Sequence, residues 1–354
     1  MAKKRAKKSS SSWKKIVAIT SVILICLSGA SAWELYSIIY GSNVGLDKDK
    51  VYFLVPTGST YQDVSNALVQ QGYIKSQATF DWVSEQKKYK LNVRAGRYRL
   101  KDGMSNNELV NLLRAGLQEP VMVTFNNVRF KEELAGKVGK FIEADSTEII
   151  NLLNSNNFVS KYGFDTTTFL TLFLPNTYEF WWNTSGEEFV ERMASEYKTF
   201  WTAERKQKAK ILGLSQSEVS ILASIVQKET NKNDEKPTVA GVYLNRLKKG
   251  MLLQADPTLV YANRDFEARR VLNKHKIIDS PYNTYKYKGL PPGPICLPNI
   301  SSIDAVLNSK SHSYLYFCAK ADNSGYHSFA SSYSQHLQNA REFQRELNRR
   351  KVYK

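Results

Sequence analysis

Acidic residues are scarce in this 354-residue chain: 33 Asp and Glu stand against 50 Lys and Arg, for a formal net charge of +17. That shortage excludes an acidic surface and suits an anionic polymer or a membrane surface as partner, although a generally basic solvated surface accounts for it equally well. Cysteine is scarcer still, at three. Cys26 falls inside an apolar run, which leaves Cys296 and Cys318. These are too few for a disulfide framework, so two buried free thiols are expected, with one bridge open if the pair approach each other. The four histidines, His275, His312, His327 and His336, show no HExxH or comparable spacing. No metal site and no cofactor is therefore expected. Zinc-finger spacing and RNP-like aromatic motifs are also missing, and nucleic acid is not an expected partner. Disorder is excluded by the 42% hydrophobic content, which at this length implies two or three domains behind an anchor.

Seven of the positive charges crowd the amino terminus, from Lys3 to Lys15, ahead of the uncharged stretch Ile16 to Ala32. Apolar character resumes past Glu34 in Leu35, Tyr36, Ile38, Ile39 and Tyr40. The pattern predicts a basic cytoplasmic tail over 1–15 and a transmembrane anchor over 16–40, with everything after Tyr40 exported by the positive-inside rule. Ala30-Ser31-Ala32 also reads as a signal-peptide cleavage site, and that alternative exports the same residues. Gly41 to Lys50 reads as a short linker.

Strand signals at Val51 to Val55 and Gly96 to Leu100 are each followed by a turn and a capped helix: Thr60 before Tyr61 to Gln70, and Ser105 before Asn106 to Arg114. A helical connector runs around Phe80 to Lys88. This weak internal repeat over 50–120 resembles LysM-like βααβ modules, which bind N-acetylglucosamine-containing glycans. Residues 121–210 read as a helix-rich aromatic connecting region: a strand from Pro120, a helix from Lys131 to Phe141, then LFLPNTYEFWW. Those aromatics suit either core packing or sugar stacking.

The stretch from Ser215 to Thr230, SQSEVSILASIVQKET, carries a capping box in Ser215 and Glu218 and a staple in Leu214 and Val219. Leu222, Ile225 and Val226 recur at helical spacing and define one buried face, and Glu229 ends that stripe. A carboxyl set against apolar surface has its pKa raised, as a general acid near neutral pH requires, while the plain alternative is a solvated or salt-bridged helix end. Beyond it, a helix is expected over Val239 to Leu247. Gln254 and Asp256 precede Pro257, and YNTYKYKGLPPG places Asn283 and Tyr285 on stiff turns, a context suited to ligand recognition. Strands are expected at Tyr314 to Ala319 and after Gly325, and a basic helix from Arg341 to Lys351.

LASIVQKET, VAGVYLNRLKKGMLLQADPT, SPYNTYKYKGLPPGPI and YLYFCA followed by GYHSF resemble, in order, the catalytic-domain blocks of the MltG (YceG-like) family of endolytic murein transglycosylases. The resemblance implies an α+β fold: a membrane anchor, a small LysM-like subdomain and a mixed α+β catalytic domain over 211–354. It further implies a single-pass protein of the bacterial inner membrane whose extracytoplasmic domain cuts the MurNAc-β-1,4-GlcNAc bond of peptidoglycan strands and leaves a 1,6-anhydromuramyl end. Association with peptidoglycan synthases follows from the family plan, and no residue here identifies such a partner. Three departures stand out: Gln227 replaces the first glutamate of the family's I-V-E-K-E block, Asn176 replaces the Asp of P-D-T-Y, and Leu297-Pro298-Asn299 replaces Asn-Pro-Gly.

In that frame Glu229 is the expected acid, and Gln254, Asn283 and Tyr285 are the expected holders of sugar hydroxyls and acetamido groups, with Asn245 supporting the site. Asp256 is open between stabilising oxocarbenium charge and an Asx-turn role, His327 between a substrate donor and a satisfied core histidine, and Arg246 is expected in a structural salt bridge. Two other functions remain in view, a hydrolytic muramidase with Asp256 as second carboxylate and a non-catalytic anchored glycan-binding scaffold.

Overall fold

The computed structural model describes residues 10–267 and 272–349. The basic cluster from Lys3 to Lys8 and the expected end of the last helix at Lys351 lie outside the described residues. One compact unit runs to Val121 and takes in Trp181–Asn183, and the other comprises Met122–Phe180 and the described residues from Thr184 onward.

In the first unit, helix α1 (Ser10–Tyr40) is long and apolar enough from Trp13 to cross a membrane, and none of that apolar stretch is buried. Trp13 and Trp33 are both exposed. Their separation of twenty residues spans about 30 Å of helix, the thickness of a bilayer's hydrocarbon core. The element order continues β1 (Val51–Val55), α2 (Tyr61–Gln70), α3 (Gln77–Gln86), β2 (Gly96–Leu100) and α4 (Asn106–Ala115). Strands β1 and β2 pair antiparallel, with Phe53 opposite Tyr98. Capping boxes at Thr60 with Asp63 and at Ser105 with Glu108 start α2 and α4 where the sequence placed them.

The expected linker after α1 is instead woven into this unit. Asn43 and Val44 donate their amides to the Met104 carbonyl at 3.0 and 2.9 Å, and Val44 is fully buried. Asn43 Nδ2 donates to Asn106 Oδ1 at 2.7 Å and to the Ser76 carbonyl at 3.0 Å, while Asn106 Nδ2 donates to the Ile38 carbonyl at 2.9 Å. Two buried amides satisfied in this way fix the chain. Ile38 and Ile39 pack against the unit's core, so the helix end and the small unit are one piece.

The second unit opens at Met122, inside β3 (Val121–Phe125), which pairs with β4 (Asn176–Phe180). Between them lie α5 (Lys131–Val138), α6 (Ser146–Asn154) and α7 (Asn156–Val159). Helix α5 stops three residues before its expected end at Phe141. Gly139 there meets the α6 amino terminus so closely that a Cβ would lie 2.7 Å from the Ser146 amide nitrogen. Tyr178 and Phe180 are core residues, Tyr178 stacked on Phe125 with ring centroids 5.5 Å apart. Helices α8 (Gly186–Phe200) and α9 (Ala203–Leu212) lead to α10 (Gln216–Glu229), which starts at the Ser215–Glu218 capping box.

Helix α10 is the axis of this unit. The sequence predicts one buried face, yet every residue from Val219 to Val226 is buried. A helix enclosed on all sides must satisfy its polar groups internally. Ser220 Oγ donates to the Gln216 carbonyl at 3.2 Å, and Ser224 Oγ donates to the Ile221 carbonyl at 2.7 Å and accepts from the Ile295 amide at 3.0 Å. Around it pack α11 (Lys236–Lys248), α12 (Asp256–Asn263) and α14 (Ile300–Leu307). Burying Leu222, Ile225 and Val226 stabilises the unit by about 1.5–3 kcal/mol each. The chain closes with α13 (Asn273–Lys276) before α14, then the antiparallel pair β5 (Tyr316–Ala319) and β6 (His327–Ala330) and helix α15 (Tyr333–Arg349). Cys296 and Cys318 are both free thiols, Cys296 buried and Cys318 partly exposed.

Candidate active site

Helix α10 ends where the stripe meets a small open cavity of about 190 Å³, lined by Glu229, Tyr243, Arg246, Leu253, Gln254, Asp256, Tyr285 and Phe317. The helix stops because Thr230 turns extended, with φ −142° and ψ 139°. Glu229 thus becomes the last helical residue and keeps part of its surface open to the cavity. The buried phenol of Tyr243 donates to Glu229 Oε1 at 2.6 Å. Desolvation pushes the Glu229 carboxyl up to about 7; the Tyr243 hydrogen bond and the Arg246 cation pull the other way, and the Asp256 charge adds to the rise. Burial also raises Tyr243 well above the usual phenol range, with the Glu229 charge adding to it. Near neutral pH the Glu229 carboxyl is therefore divided between its acid and carboxylate forms, while the Tyr243 phenol keeps its proton.

Helix α11 builds the floor of the cavity. Tyr243 and Arg246, three residues apart, fall on one face. Gly241 admits the segment before β5, since a Cβ there would lie 2.6 Å from His312 Nε2 and from the Lys310 carbonyl. Asn245 Nδ2 then donates to the His312 and Tyr314 carbonyls at 2.8 and 3.0 Å. Asn245 does not line the cavity. It seats the strand that carries Phe317, which is a supporting position. Among the described residues Arg246 makes no salt bridge of the kind expected. Its Nε donates to the Leu315 carbonyl at 2.6 Å and its Nη1 to the Leu253 and Leu252 carbonyls at 2.8 and 3.3 Å.

The rim comes from two loops locked to each other. The Gln254 amide donates to the Thr284 carbonyl at 3.0 Å, the Ala255 amide to Thr284 Oγ1 at 3.0 Å, and the Thr258 and Thr284 hydroxyls bond at 2.8 Å. Gln254 is held at φ +50°, a left-handed conformation costly for a residue with a Cβ. Its exposed side chain is thereby directed to the cavity. Asp256 is the first residue of α12, with Pro257 behind it, and not an Asx-turn residue. It accepts a hydrogen bond from the Tyr285 hydroxyl. Burial and this bond raise the Tyr285 phenol.

Asn283 is a correction. It is fully buried, and its Nδ2 donates to the Lys276 and Ile278 carbonyls at 2.9 Å while its Oδ1 accepts from the Tyr285 amide at 3.0 Å. With its amide group so committed, it braces the loop beneath Tyr285 and offers nothing to a sugar. His327 also sits behind the cavity. Its Nδ1 lies 2.8 Å from Glu235 Oε2, its amide donates to Glu235 Oε1 at 2.7 Å, and its ring meets Phe317 edge-on at 5.2 Å. Gln227 turns away from the cavity and uses both ends of its amide. Oε1 accepts from the Asn299 amide at 2.5 Å and Ser302 Oγ at 3.1 Å, and Nε2 donates to the Leu297 carbonyl at 3.5 Å. An ionised glutamate at this position could accept these bonds but could not donate to the carbonyl.

Four of the expected residues, Glu229, Gln254, Asp256 and Tyr285, line one cavity. Sequence reasoning passed over Tyr243, Leu253 and Phe317 and expected a salt bridge for Arg246, which backbone carbonyls hold instead. The available signal was the i, i+3 pairing of Tyr243 and Arg246 on a helix next in sequence to α10.

Residues 53–342 match the profile of the YceG-like family. The chain is 30% identical over 311 residues to the "Endolytic murein transglycosylase" of Bacillus subtilis (strain 168), covering 81% of this chain and 84% of that protein. It is 26% identical over 340 residues to the protein of that name from Streptococcus pneumoniae (serotype 2, strain D39), covering 86% of this chain and 61% of the longer pneumococcal protein. In structure it is similar to a yceG-like protein of Listeria monocytogenes solved at 2.6 Å, with a TM-score of 0.54 and 26% identity over 82% of this chain and 99% of that one. Sequence match and fold agree, and the chain belongs to the YceG-like family.

Proposed function

We propose that the protein is an endolytic murein transglycosylase that uses Glu229 alone as general acid and then base. The observation that carries the reading is a single desolvated carboxyl, pushed up to about 7 and held by a phenol on the floor of a cavity. Tyr243 occupies Oε1, which leaves Oε2 free to carry the transferable proton. Glu229 gives that proton to the glycosidic oxygen as the muramyl C1–O bond breaks. The 6-hydroxyl of the same sugar then attacks C1, and its proton returns to Glu229. One bond forms, one breaks, no water is consumed and the enzyme regains its proton, so a second carboxylate is not required. The tethered nucleophile takes the place of the activated water of a hydrolase.

Gln254 and Tyr285 hold sugar hydroxyls or acetamido groups, and Asp256 steadies the oxocarbenium charge from the rim. Helix α1 anchors the chain in the bacterial cytoplasmic membrane with the basic residues on the cytoplasmic side, in keeping with their position ahead of the span. The first unit, with its β-α-α-β order, is a glycan-holding module of the LysM-like kind, and peptidoglycan synthases are the partners consistent with the family plan.

Mass spectrometry of the ends released from purified peptidoglycan tests the reading. Anhydro ends, abolished in Glu229→Gln, are expected. Reducing ends favour the muramidase that the second carboxylate of the cavity, Asp256, would allow. A Glu229→Gln protein that digests as well as the wild type removes Glu229 from the chemistry.

A further inference from the structure

Arg246 is a buried cation with no carboxylate partner among the described residues. Three carbonyls, of Leu252, Leu253 and Leu315, hold its Nε and Nη1, and its guanidinium lies 5.3 Å from the centre of the Tyr316 ring. Nη1 also comes within 3.5 Å of Gln254 Oε1, and Nη2 makes no hydrogen bond to the described residues. An arginine cannot shed its proton to escape burial, so leaving it unpaired is costly. Three converging carbonyls fix its place without neutralising it. The charge faces the cavity it shares with Glu229.

We propose that Arg246 is a positioning residue for Glu229: a fixed cation in the wall of the same cavity that stabilises the carboxylate each time the acid has given up its proton. This rests on the reading of Glu229 as the proton-transfer group. The carboxyl must be protonated to start the reaction and ionised midway through it, and desolvation alone favours only the first state. A permanent cation in the wall offsets that bias without itself titrating. Among the described residues, the other titratable groups that line the cavity with Glu229 are the Tyr243 phenol on α11, the Asp256 carboxylate on α12 and the Tyr285 phenol on its loop; Gln254 adds an uncharged amide, and Leu253 and Phe317 add only apolar surface. Lys228, on the same turn as Glu229, is exposed and directed elsewhere. His336 of α15 stacks on Tyr316 beside the guanidinium, and its pKa is lowered by burial and by Arg246.

The experiment is the pH profile of kcat/KM for the full chain in detergent on purified glycan strands, for wild type, Arg246→Lys, Arg246→Met and a protein with citrulline, the neutral isostere of arginine, at position 246. A general acid is active below its pKa, so the wild-type alkaline limb reports Glu229. Removing the cation is expected to move that limb up by about one pH unit in both neutral variants, while Arg246→Lys keeps it in place. Citrulline retains the bonds to the carbonyls, so it reads out the charge even where Arg246→Met fails to fold. An unmoved limb, with rates lowered evenly at every pH, overturns the inference and leaves Arg246 a structural brace. If Glu229→Gln is inactive and the limb is unmoved, only this inference fails. If Glu229→Gln is active, the reading of Glu229 itself fails.

Discussion

The floor and the rim of the cavity each present a carboxylate, and they are built in opposite ways. Glu229 on the floor closes a helix enclosed on every side, is gripped by a buried phenol and has lost most of its water. Asp256 on the rim opens a helix, is exposed and accepts from the hydroxyl of Tyr285. Environment separates the two: burial raises the Glu229 carboxyl so that it has a proton to give, whereas Asp256 is open to solvent and bonded to the rim. The floor is rigid because α10 and α11 are core helices. The rim is rigid because its two loops bond to each other through Thr258 and Thr284.

The largest break in this comparison is Glu229→Gln, expected to lower turnover by at least about 10³-fold, the upper range for loss of a general acid and base. The same change is expected to stabilise the fold at high pH. In the folded protein Glu229 keeps its proton from its usual 4.5 up to about 7, so stability falls as pH rises through that window and the full cost applies above it. Partial solvent contact at the cavity limits that cost to on the order of 2 kcal/mol. Melting curves of the two proteins should therefore separate at pH 8 and coincide near pH 4. Coincidence at both would mean that Glu229 is not desolvated.

Tyr243→Phe comes next, with kcat lowered about 10–100-fold by a carboxyl free to rotate. Its lost hydrogen bond shifts the alkaline limb of the rate profile upward, and a change in KM alone would deny the phenol its positioning role. Asp256→Asn is expected to cost about tenfold and to move that limb the other way, because a neighbouring negative charge is gone. A loss as deep as that of Glu229→Gln would erase the floor-to-rim distinction and favour a two-carboxylate hydrolase. Asn283→Ala is the smallest change in chemistry. It leaves two carbonyls unpaired and is expected to lower stability by about 1–3 kcal/mol, read by denaturant unfolding, with weaker binding and unchanged end chemistry.

Much of the local structure was legible because local signals agree. The capping boxes at Thr60, Ser105 and Ser215 fixed where three helices begin, and period-2 and period-3.6 patterns separated strands from helices. The place of Glu229 at the end of an apolar stripe could be read for the same reason. Where the reading failed, a partner outside any helical or strand period decided. Asn283 has a side chain suited to binding sugars, but the Lys276 and Ile278 carbonyls of its own loop claim it, a pairing that no periodicity signals. The segment after α1 looks like a linker because its polar residues carry no period. Asn106, more than sixty positions away, turns it into a clamp.

The order of elements, the apolar helix long enough to span a membrane and the chemical identity of the candidate acid were determined by the sequence itself, since each rests on spacing along a few turns of chain. Which side chains surround that acid was decided only by the tertiary structure. Tyr243, Arg246, Asp256, Tyr285 and Phe317 come from four segments brought to the end of one buried helix. Desolvation, which pushes Glu229 up to about 7, belongs to that enclosure and not to any stretch of residues.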